Sequence, residues 1–140
     1  MINATTLSGA SRAAIAASAG LALIAGFEVA LALGAPWGRA AWGGGQAILP
    51  TELRVASAVA AGVWTGAALL VLARGGYLGA AGQSVLVRRA TWGLFGLLLI
   101  GAALNFASSS PWERFGWAPF GLALSALTFA VARSSPSSPG

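Results

Sequence analysis

Cysteine, histidine, aspartate and lysine are all absent from this chain of 140 residues. That removes most side chains that bind transition metals, carry thiol redox chemistry or form Schiff bases. Carboxylates are scarce as well. Glu28, Glu52 and Glu113 are the only three, so a metal cage or a paired acid and base would need nearly every acid in the protein. No metal, no cofactor and no catalytic residue is expected, and an enzyme is the less favoured class. The lack of cysteine says nothing about compartment, because arginine without lysine beside so much alanine and glycine is a compositional bias.

Apolar residues make up 57% of the chain and charged ones 8%, more apolar material than a soluble domain of this size buries. Lipid as the solvent accounts for it. Spans of about 20 residues suit the four apolar runs. The reading is an all-α polytopic membrane protein, a four-transmembrane-helix bundle with helices near 12–34, 50–73, 89–108 and 111–132. These form one domain over 1–133, followed by a disordered Ser/Pro tail over 134–140. The net charge of +5 does not point to nucleic acid, because the eight arginines flank apolar runs instead of forming a stripe.

Loop one carries Pro36, Trp37, Trp42 and the triplet Gly43, Gly44, Gly45, which breaks helices and seats indoles at a headgroup boundary. Pro50 and Glu52 open the second helix, and Arg74, Gly75 and Gly76 close it. Loop two then reaches Arg88 and Arg89. Ser110, Pro111, Trp112 and Glu113 form a capping box at the start of the fourth helix, within which Pro119 frees the carbonyl of Phe115 and predicts a kink or loosened turn. Arg12, Arg74, Arg88, Arg89 and Arg133 fall on one side, and Arg39, Arg54 and Arg114 on the other. By the positive-inside rule this makes a multi-pass cell-membrane protein with both termini cytoplasmic. The competing reading treats residues 1–32 as a signal peptide cleaved after Ala30, Leu31 and Ala32, against which stand the length of the run and Glu28 inside it.

Polar groups from all four helices gather in the outer half. With a rise of about 1.5 Å per residue, Glu28 lies roughly 9 Å below the outer end of helix one and Arg54 about 6 Å below the start of helix two. Asn105 sits near the end of helix three, Glu113 and Arg114 open helix four, and Trp37, Trp42, Trp112 and Trp117 surround the same level. An ionisable group at membrane depth is costly, so Glu28 is expected to face inward, with Arg54 as its named partner. Two readings stay open: a structural ion pair that docks helices one and two, or a carboxylate that binds a cationic ligand or exchanges a proton. Glu52 and Glu113 read first as caps, and the outer tryptophans as an interfacial belt or an aromatic pocket. Trp64 should lie deep, its indole N–H seeking a partner inside the bundle. Ala58, Gly62 and Gly66 form a small-residue ridge for helix packing, within the chain or across a homodimer. Pro50, Glu52 and Arg54 echo Pro111, Glu113 and Arg114, which hints at a repeated helical hairpin.

Leu33 to Gly38, Ala41 to Gly44, Leu49 and Pro50, then Leu53, Arg54 and Ser57, with Asn105, Ser108, Ser110, Glu113, Arg114 and Pro119, resemble a family of small uncharacterised four-helix bacterial integral membrane proteins. The resemblance supplies no activity; it implies that the outer-face motifs travel together. Small multidrug-resistance transporters also combine four helices with a glutamate in the first, but their aromatic and glycine positions are not recognisable here. The favoured expectation is a membrane module whose outer polar cluster binds a small lipophilic or cationic ligand or a membrane-protein partner. The alternative is a proton-coupled small-molecule transporter using Glu28, assembled as a homodimer along Gly62 and Gly66.

Overall fold

The computed structural model describes residues 8–134, and these are helical without strands. α1 (Gly9–Ala32), α2 (Thr51–Arg74), α3 (Val85–Ala107) and α4 (Ala118–Ala132) are the long helices. A π-helical turn, Glu113–Trp117, precedes α4 and makes with it a span of 20 residues. All four spans are long and apolar enough to cross a membrane. The tail expected over 134–140 lies outside the described residues except for Ser134, whose hydroxyl donates to the Val131 carbonyl.

The third helix begins at Val85, before the expected position near Arg89. Ser84 is the reason: its Oγ accepts from the Val87 amide at 3.2 Å, which caps the first turn and draws Arg88 and Arg89 into the helix. Pro119 removes a donor and crowds the turn before it. The chain there widens into the π turn, in which the Ala118 amide reaches back to the Glu113 carbonyl.

α1 packs along α2 and α3 along α4; α1 also crosses α4, whereas α2 and α3 touch over a short stretch. The buried seam is built mostly from small residues, with Ala13, Ala14, Ala17, Ala67 and Ala68 around Leu21, Val71, Leu94, Leu98 and Leu124. Small side chains let backbones approach closely, which is how helices associate where lipid offers no hydrophobic drive. Gly20 marks the tightest crossing, since a Cβ there would come within 2.4 Å of Leu124 Cδ2. Large apolar side chains point outward instead: Leu23, Val59, Leu86, Ile100 and Leu104 are all more than half exposed. An apolar exterior of this extent suits lipid and not water.

The Ala58, Gly62 and Gly66 ridge does not pack within the chain, contrary to one of its two expected uses. All three residues are exposed, and a Cβ on either glycine meets nothing within 4 Å. α2 instead turns Ser57, Ala61, Ala68 and Val71 inward, a stripe displaced by about a quarter turn.

Candidate functional site

Loop one folds back over one end of the bundle. Two short 3₁₀ turns, Gly38–Ala40 and Trp42–Gly44, bring its backbone against the start of the fourth span. Gly43 and Gly44 adopt φ values of 83° and 74°, and a Cβ on Gly44 would stand 2.9 Å from both the Arg39 carbonyl and Ser110. Trp42 also has a positive φ, 53°, rare for a bulky residue and held only where surroundings over-determine it. Its indole Nε1–H supplies the restraint by donating to Ser57 Oγ on α2 at 3.0 Å.

Glu113 is the principal fastener of this roof. It is buried; Oε1 accepts from the Gly43 amide at 2.9 Å, and Oε2 accepts from the Ser108 hydroxyl. The expected capping box is therefore only half formed. Ser110 Oγ does accept from the Glu113 amide at 3.4 Å, but the Ser110 amide is taken at 3.1 Å by Ser108 Oγ, which frees the carboxylate to hold loop one. Ser110 Oγ donates in turn to the Arg39 carbonyl at 2.8 Å, and Trp117 Nε1 donates to the Ala40 carbonyl at 2.8 Å. Glu52 keeps its expected place, exposed in the first turn of α2.

Beneath the roof lies a cavity of about 380 Å³. Ala40, Ala41 and Trp42 close it above, Glu28, Phe27 and Ile24 come from α1, Trp64 from α2, Leu98, Ala102 and Asn105 from α3, and Glu113, Trp117 and Phe120 from the fourth span. Phe27 and Trp117 meet at 4.8 Å between ring centroids, Trp117 and Phe120 at 5.8 Å, so one wall is continuous aromatic surface. Exposed Leu97 and Leu104 of α3 also border the cavity.

Glu28 is the outstanding polar group. Among the described residues its buried Oε2 has no hydrogen-bond partner, and Ser57 is the one side chain that hydrogen-bonds the carboxyl. The Ser57 hydroxyl accepts from Trp42, which leaves its own proton free to point at Glu28. The expected pairing of Glu28 with Arg54 does not form. Arg54 Nε donates instead to the Ala32 carbonyl at 2.9 Å, and its guanidinium lies against Gly34. The last carbonyls of α1 have no helical partners, and an arginine at a helix C-terminus satisfies both the acceptor and the dipole. Arg114 repeats the device, its Nε donating to the Phe106 carbonyl at 3.1 Å near the end of α3. The echo between the two hairpins thus has a physical content: in each, the arginine opening the second helix caps the end of the first. If the two groups are independent, the stability effects of Glu28→Gln and Arg54→Gln should add to within about 0.5 kcal/mol in detergent unfolding, whereas an ion pair would couple them more strongly.

Of the expected site residues, the structure brings Glu28, Trp42, Asn105 and Glu113 to one cavity and leaves Arg54, Arg114, Trp37 and Trp112 off its lining. Trp37 stacks on the outer side of Phe27 at 6.1 Å, and Trp112 is exposed. Among the described residues neither the Asn105 carboxamide nor Trp64 Nε1 forms a hydrogen bond, contrary to the internal partner expected for Trp64, and both residues border the cavity. Sequence reasoning named Ser57 in the resemblance without giving it a site role, and read Trp117 chiefly as part of the interfacial belt. The signal for Ser57 was present, since a lone serine in an apolar span, close to the depth of Glu28, is a natural donor to it. Comparison with family models, curated proteins and solved structures returned no match.

Proposed function

We propose that this protein is a membrane module that binds a small lipophilic cation in the cavity beneath loop one. The observation that carries the reading is the unpartnered, buried oxygen of Glu28 in the wall of an aromatic cavity. A carboxyl oxygen kept from water without a donor is unfavourable, and a ligand cation meeting it relieves that cost while the aromatic faces of Trp42, Trp117 and Phe120 complement the charge. Asn105 adds a polar contact at the opposite wall. The exposed apolar side chains of Leu97 and Leu104 at its border suit a ligand that partitions into lipid before binding. In this reading the end bearing the termini faces the cytoplasm, because five of the eight arginines lie there.

Titration of the purified protein in detergent with tetraphenylphosphonium, read by tryptophan fluorescence, tests the proposal. Trp42, Trp64 and Trp117 all border the cavity, so a saturable change is expected. Glu28→Gln should weaken binding by at least about tenfold, some 1.4 kcal/mol, while the unfolding midpoint stays near that of the unaltered protein. Equal affinity in the variant would remove the basis of the reading. Cation uptake into proteoliposomes driven by a pH gradient would replace it with proton-coupled transport.

A further inference from the structure

At the end of the bundle where α1 begins and α4 ends, Arg74, Arg88 and Arg133 border a second cavity of about 440 Å³, together with Gln83, Val85 and Trp92. Arg74 is only 7% exposed. One of its terminal nitrogens donates to the carbonyls of Ala132 and Ser134 at the end of α4, but its Nε is buried and meets no acceptor among the described residues. Arg88 stands in the first turn of α3, where the helix dipole is positive and a cation is disfavoured. Arg133 rests over the Phe129 ring at 5.6 Å, which holds its guanidinium at the rim. No acidic side chain neutralises this charge: Glu28, Glu52 and Glu113 are the only ones in the sequence, and all three stand in the opposite half of the bundle.

We infer that this pocket binds a phosphate group, either the headgroup of an anionic phospholipid or a soluble phosphate. Three arginines around one hollow repel one another, and a buried guanidinium without a counter-charge is costly. A phosphate relieves both, because its oxygens match the planar guanidinium fork and favour the N-terminal end of a helix. The surroundings favour the lipid source. Trp92 is 40% exposed beside the pocket, and Val85 and Leu86, on the same first turn of α3, offer an apolar surface to an acyl chain.

Native mass spectrometry of the full chain, released from micelles doped with phosphatidylglycerol or phosphatidylcholine, distinguishes the outcomes. Retention of phosphatidylglycerol over phosphatidylcholine by about tenfold is expected, and its loss in the double variant Arg88→Gln/Arg133→Gln. The variant Arg39→Gln/Arg89→Gln removes the same charge from positions off the pocket and should keep the preference. Arg88→Lys/Arg133→Lys, which keeps charge without the fork, should fall between. A parallel thermal-shift titration with inorganic phosphate separates the sources: stabilisation at millimolar phosphate that Arg88→Gln/Arg133→Gln abolishes, without lipid preference, assigns a soluble phosphate. Equal retention of both lipids with no phosphate effect, or equal losses in both glutamine double variants, would overturn the site.

Discussion

Glu113→Ala is expected to detach loop one from the bundle and to lower the unfolding free energy by about 3 kcal/mol. Two hydrogen bonds to a buried carboxylate are lost, each worth about 1.5 kcal/mol or more when the acceptor is charged. The Gly43 amide and the Ser108 hydroxyl lose their acceptor together. Hydrogen exchange should therefore accelerate over residues 35–49 while the amides of α1 and α2 remain protected. Glu113→Gln keeps one acceptor oxygen and should show about half the loss. Loop amides as protected in Glu113→Ala as in the parent would mean that Trp42, Ser110 and Trp117 suffice to hold the roof.

Gly20→Leu is expected to force α1 and α4 apart, with a destabilisation of about 3 kcal/mol measured by thermal or denaturant unfolding in micelles. The Leu124 methyl that an added Cβ would meet at 2.4 Å belongs to a buried side chain with little room to turn, and Phe120 Cζ stands only 3.3 Å away. Gly20→Ala adds only the Cβ that meets Leu124, so it should cost part of this loss, and the branches of leucine the rest. Gly62→Leu makes the informative contrast. Its site faces open space, so the monomer should lose little or nothing. A large loss at Gly62 would show that the outer ridge of α2 is covered by another chain.

The four spans were legible because hydropathy is a property of long windows, and lipid imposes it whatever the packing. The capped start of the fourth span and the loosened turn before Pro119 were legible too, since proline chemistry acts on the chain's own neighbours. What sequence misread was who satisfies whom. Glu28 and Arg54 have opposite charge and similar depth, yet Arg54 answers the nearer demand of the α1 carbonyls. Glu113 has the spacing of a capping box, yet the Gly43 amide, 70 residues away in sequence, competes for its carboxylate. Long-range acceptors of this kind leave no periodic trace. The expectation that the Ala58, Gly62 and Gly66 ridge packs within the chain failed for another reason: a small-residue spacing marks a face suited to close contact without saying which neighbour the bundle puts there.

The π turn also decides which of two adjacent, oppositely charged residues enters the protein. In an unbroken α-helix, positions four, seven and eleven apart share a face, so Arg114 would stand above Ala118, Gly121 and Ser125, the side α4 turns inward. The widened turn inserts one residue of phase, about 100° of rotation. Glu113 is carried onto that inner face, and Arg114 moves above Pro119, Leu122 and Ala126, all exposed. One proline thus turns an otherwise inward cation outward and leaves the carboxylate inside. The sign of the charge under loop one is set by helical phase as much as by residue type.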